Sequence, residues 1–182
     1  PLTTEYKEVT FRDWGFGEEG TVTQKTDSTA TPITSWDNVA ISGHVKFKNT
    51  DNYWNQSIAI GADETTDGIA MRYSAGKVCL DLGTSGNVHR ESKLEPRLDG
   101  VATEFDFRIT FTPVDNDNYR VDVTAGTVSE SYKVLKSALS LKTMQLYVNG
   151  GSEFDYKSTP LTTEYKEVTF RDWGFGEEGT VT

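Results

Sequence analysis

Residues 1–23, PLTTEYKEVTFRDWGFGEEGTVT, return without one substitution as residues 160–182. The offset of 159 residues is too long for a solenoid repeat and suits a whole domain. The chain therefore divides into one unit, 1–159, and an identical copy of its opening, 160–182, which is the start of a next repeat or a donated strand. Such a duplication marks either a natural array or an engineered one, and the residues do not separate the two. In both cases Tyr6 to Phe11 alternates like a half-buried strand, with Trp14 and Phe16 behind it, so the segment carries apolar surface that needs a partner. One domain has one slot for it. The second copy, with Tyr165, Val168, Phe170 and Trp173 as its apolar residues, must hang free, begin another unit, or dock on a neighbouring repeat or an identical chain.

A unit of this length can bury roughly 70% of its unfolded surface, so neither metals nor disulfides are needed for folding. The net charge of −10, with no Lys/Arg stripe, argues against nucleic acid as a partner. No run approaches the ~20 apolar residues of a membrane span, so membrane insertion is not expected. No charged-then-apolar leader opens the sequence, and the chain is expected to come from a longer protein. Cys79, the one cysteine, has no ligand or base at a recognisable spacing and reads as a packed thiol.

Short alternating runs dominate the rest. Val39–Phe47 places Val39, Ile41, Val45 and Phe47 on one face, with His44 opposite them given a bulge at Gly43, and Asn49–Asn52 turns the chain. Tyr53–Ile60, Ile69–Tyr73 and Val78–Leu82 follow as an antiparallel meander, and Lys25–Ser35 reads as a loop. Phe105–Phe111, Tyr119–Val123 and Thr127–Tyr132 are joined by Asp115–Asn118 and Ala125–Gly126. Val134–Leu141 could make one short helix, and Thr143–Val148 is a further strand. Ten or more strands at intervals of about 8 to 12 residues, with almost no helical period, predict an all-β fold: a two-sheet antiparallel β-sandwich.

The order of runs resembles the concanavalin A-like lectin/glucanase jelly roll, particularly its laminin G-like members. The early aromatic strand, the meander NYWNQSIAIG…GIAMRYSAGKVCLDLG and the late pair EFDFRITFTPVDNDNYRVDV…LKTMQLYVNG carry the resemblance. It implies a carbohydrate-binding, adhesive or glycan-cleaving protein, commonly outside the cell, and fold alone does not choose among these.

The jelly-roll glucanases hold their catalytic carboxylates as Glu-x-Asp-x-Glu on one strand. Here Glu104-Phe105-Asp106-Phe107-Arg108 and Glu153-Phe154-Asp155-Tyr156-Lys157 put a cation in the third place. Without that carboxylate no acid serves the leaving oxygen, so the chain is not expected to be an enzyme. Glu104, Asp106 and Arg108 read instead as a solvent-facing charge-paired stripe. Sugar binding needs an aromatic face flanked by amides, and Asn52, Tyr53, Trp54 and Gln56 supply one such patch, with Trp36 as a second platform. Calcium is the one cofactor the loops suggest, at Asp63 and Asp67 or at Asp115 and Asp117, although Asp115–Asn118 lacks the EF-hand Gly and Glu and suits a turn better. The sequence thus describes an adhesive or structural spacer module of a large extracellular or cell-surface protein, joined head to tail through its duplicated strand. Besides neighbouring repeats, a glycan or a host surface protein is a candidate partner, and the alternative reading is a carbohydrate-binding lectin-like module.

Overall fold

The computed structural model describes residues 3–29, 31–50, 56–61, 68–82, 98–149, 151–159 and 171–181, with the backbone alone at 79, 81 and 82. These residues form thirteen strands in chain order. They are β1 Lys7–Val9, β2 Glu19–Val22, β3 Thr26–Asp27, β4 Val39–Lys48, β5 Gln56–Ile60, β6 Ile69–Ser74 and β7 Lys77–Leu82. They continue with β8 Leu98–Asp99, β9 Glu104–Pro113, β10 Asn118–Ala125, β11 Val128–Leu135, β12 Met144–Val148 and β13 Glu153–Lys157. Two sheets result. The first runs β11-β10-β9-β4-β13-β2 with β1 also on β4, and the second runs β3-β12-β5-β6-β7-β8. The protein is an all-β sandwich.

Alternation explains the layering. Along β4 the odd positions Val39, Ile41, Val45 and Phe47 are buried between the sheets, while Ser42, Lys46 and Lys48 turn outward. On β9, Phe105, Phe107, Ile109 and Phe111 do the same. Aromatic rings bridge the layers: Phe47 of the first sheet stacks on Tyr73 of the second with centroids 5.0 Å apart, and Phe105 and Phe154 flank them. The Tyr73 hydroxyl donates to the Val101 carbonyl at 2.9 Å, so its polar end is satisfied inside the core. Burial also pushes the Tyr73 phenol above its usual pKa.

Several expectations change. No bulge occurs at Gly43: β4 pairs with β9 one to one from Val39↔Phe111 through Gly43↔Phe107 to Lys46↔Glu104, and simple alternation already puts His44 outward. At the expected turn after β4, Asn49 takes φ 56 and the chain leaves for the other sheet, where β5 lies; Asp51 and Asn52 lie outside the described residues. The loop over Lys25–Ser35 contains β3, which pairs with β12. The expected helix at Val134–Leu141 is replaced by the end of β11 and a single 3₁₀ turn, Lys136–Leu139, because β11 stays paired with β10 through Leu135. Among the described strands one pairing departs from the antiparallel rule: β1 runs parallel to β4. Among the described residues no helix is long and apolar enough to cross a membrane.

The β6–β7 hairpin turns on Ala75 and Gly76, with φ of 45° and 83°. Two positive φ values are the pattern of a type I′ turn, for which Asn-Gly is the preferred pair and an Ala is strained. Ala75 is exposed. Ala75→Asn is therefore expected to raise stability by roughly 0.5–1 kcal/mol, measured as an increased urea midpoint at unchanged m-value.

Candidate functional site: a docking slot and its duplicated occupant

The first copy is built into the sandwich at one edge of β4. Two strands share that edge: β1 pairs with Val39–Ile41 and β13 with His44–Lys48. They meet at Gly43. A Cβ there would lie 2.5 Å from the ring of Phe11 and 3.2 Å from the Lys157 carbonyl, so glycine is what lets the Phe11 ring approach the strand this closely. Phe11 is fully buried, with Tyr156 at 4.8 Å and Phe107 at 5.8 Å between centroids.

The chain then turns through residues 10–17. Asp13 accepts from the Thr10 N–H at 2.8 Å, and the Gly15 N–H donates to the Arg12 carbonyl at 3.0 Å. Gly15 and Gly17 take φ of 87° and 85°. The Arg12 guanidinium closes the turn on Glu18 at 2.8 Å. This turn drives Trp14 into the core, where it is 0% exposed and stacks on Trp36 at 6.3 Å. Among the described residues its Nε1–H has no acceptor, so apolar contact holds it, worth roughly 4–6 kcal/mol for 150–250 Å² of aromatic surface. Ser158, just beyond β13, fastens the turn from the other side. Its hydroxyl accepts from the Arg12 N–H at 2.9 Å and donates to the Gly17 carbonyl at 2.7 Å, while Tyr156 donates to the Phe16 carbonyl at 2.5 Å. β2 then adds to the far edge of β13.

The second copy repeats the turn without the burial. The Gly174 N–H donates to the Arg171 carbonyl at 3.0 Å, Gly174 and Gly176 take φ of 85° and 75°, and Arg171 pairs with Glu177 at 2.7 Å. Yet Trp173 is 74% exposed and Phe175 72%, against 0% for the matching Trp14. Residues 178–181, which match β2, form no strand. Tyr165, Val168 and Phe170 lie outside the described residues.

The outer face of the first sheet carries a second constellation. His44 is buried between two carboxylates, Nε2 against Glu104 Oε1 and Nδ1 against Asp106 Oδ1, each at 2.8 Å. Both contacts are hydrogen bonds donated by the ring only when it carries two protons. The contact with His44 comes first among the causes that hold the Glu104 carboxyl below its ordinary range. Beside it Lys48 approaches Asp155 at 3.1 Å, and Thr21 donates to Asp155 at 2.7 Å. Burial works to raise the Asp155 pKa, and the bonds from Thr21 and Lys48 outweigh it, so this carboxyl also sits low. Arg108 leaves the cluster for Glu8 on the neighbouring β1 at 2.6 Å.

The sugar-binding candidates do not converge. Trp36 is buried, one side on Trp14 and another on Phe111 at 5.0 Å, with its N–H donated to the Leu141 carbonyl at 3.1 Å, so it is not a platform. Gln56 is also buried, its side-chain carbonyl accepting from the Lys48 N–H at 3.2 Å. Asn52, Tyr53 and Trp54 lie outside the described residues, as do Asp63, Asp67 and the side chain of Cys79. Asp115 is a turn residue: its Oδ1 accepts from the backbone N–H groups of Asp117 and Asn118, both at 2.8 Å, and from the Asn118 amide. The Asp117 N–H, then the Asn118 amide, hold its carboxyl below the usual range. Among the described residues no three His, Cys, Asp or Glu gather as metal ligands. Gly43, Tyr156 and Ser158 form the slot and escaped the sequence reading, because nothing local ties Gly43 to a ring about 30 residues earlier, or Tyr156 and Ser158 to a turn some 140 residues earlier.

Fold and site together define a β-sandwich with an integrated terminal strand-turn and a spare copy of it. No protein-family model matches the sequence, and no curated protein does. Among solved structures the chain is similar to the crystal structure of the botulinum neurotoxin serotype D binding domain, at 16% identity and a TM-score of 0.49. The match covers 80% of this chain and 40% of that one, so the chain corresponds to less than half of the toxin domain's length.

Two outcomes are expected here. Gly43→Ala forces Phe11 from its seat and costs about 1–3 kcal/mol, read by denaturant unfolding together with faster tryptic cleavage at Arg12. For Glu104, a folded-state pKa below the unfolded value means its contribution is complete above about pH 4.5 and is lost as pH falls through the lower folded value. Stability should therefore fall on acidification below that pH. Glu104→Gln should flatten the slope, and an unchanged slope would deny the interaction a role.

Proposed function

We propose that the chain is a repeat module of a large extracellular or cell-surface protein, an adhesive and structural spacer whose units are linked by donation of the duplicated segment. The observation that carries this reading is the contrast between Trp14, wholly buried, and Trp173, exposed on the same turn. An exposed Trp–Phe pair on an ordered turn is a ligand in search of a site, and the complementary site is known because the first copy fills it. The acceptor is a neighbouring repeat or an identical chain. Exchange of identical elements is a low-cost route to such association, since every contact of the donated segment already exists in the closed unit.

The reading places the module in the laminin G-like group of lectin jelly rolls, which its order of strands resembles. It excludes hydrolysis: Arg108 and Lys157 stand where a third carboxylate would be needed, and Glu104 and Asp106 are committed to His44. It requires no cofactor. Nucleic acid is disfavoured by the charge of −10. The carbohydrate-binding alternative loses Trp36 and Gln56 to the core.

Light scattering on the 182-residue chain and on a chain ending at Thr159 tests the proposal. The full chain should form oligomers that grow with concentration, and the shortened one should be monomeric. Two monomers at all concentrations would end the donation reading.

A further inference from the structure

We infer that the two copies are interchangeable occupants of one slot within a single molecule, so that 160–182 can replace 1–23 in its own unit. This goes beyond association between units and needs no second molecule.

The covalent path allows it. β13 runs antiparallel to β4 and ends at Lys157 opposite His44, heading along the same edge toward Val39, where β1 begins with Lys7. From Ser158, beside Gly43, to the level of Val39 is about 13 Å at the rise of a strand. The residue that matches Lys7 is Lys166, and the seven residues Thr159–Tyr165 before it can span roughly 23 Å. That leaves length for the reversal needed to enter parallel to β4. The replaced copy is joined to the body only at Gln24, before β3, so it can swing out without disturbing the pairing of β3 with β12.

The energies allow it as well. With identical sequences, every contact of the slot is equal in the two frames: Phe11 or its copy over Gly43, Trp14 or Trp173 on Trp36, and the Ser158 bonds to backbone. The turn itself is already formed in the free copy, with the Arg171–Glu177 pair in place. Only closure of the connecting segment differs, and that cost changes slowly with length. A copy lying between two units of an array can then serve the unit before it or the unit after it.

The full 182-residue chain carrying Trp14→Ala, Trp173→Ala, or both provides the test, by thermal unfolding over a wide range of concentration. Removing a buried Trp from an obligatory position should lower Tm by about 10 °C or more. With two interchangeable occupants each single change is expected to lower Tm by less than half of that, while the double change gives the full loss. Limited trypsin treatment of the unaltered chain should release fragments from both ends, at Lys7 or Arg12 and at Lys166 or Arg171, since each copy is free in turn. A Trp14→Ala chain as unstable as the double variant, with Trp173→Ala silent, would overturn the inference, as would trypsin fragments from the C-terminal end alone. A rescue that vanishes on dilution would overturn it too, assigning the exchange to a second molecule, as in the assembly reading.

Discussion

The first sheet depends on one shared edge. β4 is the longest-paired strand of its sheet, held along one side by β9 and along the other by β1 and β13 laid end to end. Because the two approach from opposite directions, their junction would ordinarily leave a break in the ladder between two strand ends. The gap is closed by the ring of Phe11 on Gly43, and by Ser158 bonding both sides of the turn that follows β1. The start and the end of the unit are thus stabilised by each other. A domain closed in this way gives its opening residues a site formed largely by its last strand, and a further copy of those residues emerges from that same strand.

The part of this that sequence reveals is the part written in local alternation. β4, β9 and β10 are legible because Val39, Ile41, Val45 and Phe47, or Phe105, Phe107, Ile109 and Phe111, repeat at the strand period. Asp115 is legible as a turn residue because its partners are two and three residues away. What escapes is long-range pairing. Trp36 sits in a polar stretch and looks like a surface platform, yet Trp14 and Phe111 enclose it from elements far apart in the chain. Glu104 and Asp106 show their charged alternation plainly. Their common partner His44 lies some sixty residues earlier, and no spacing rule joins them.

In that outer cluster the same residue types form a charge-paired arrangement on the face of the first sheet. A catalytic pair of carboxylates needs one member protonated and free to donate to the leaving oxygen. Here a single imidazole lies between Glu104 and Asp106, and its effect on Glu104 is to favour the ionised form. The neighbouring Asp155 is likewise held ionised by Lys48 and Thr21. Glu104 and Asp155 are thus both held toward the charged form, as suits a charge-paired surface.

The two copies separate what local sequence determines from what context determines. In both, glycines at positive φ and an Arg–Glu pair six residues apart produce the same turn, so the turn follows from the 23 residues alone. Strand formation at β2 and burial of the Trp occur only where β13, Ser158 and the floor around Gly43 are available. A preformed turn loses less entropy on docking than a disordered one, since its backbone is already fixed before contact. Duplicating such a segment therefore has a definite physical result. It leaves an exposed, preorganised Trp–Phe pair on every chain, and the acceptor most complementary to that pair is the slot the chain itself carries.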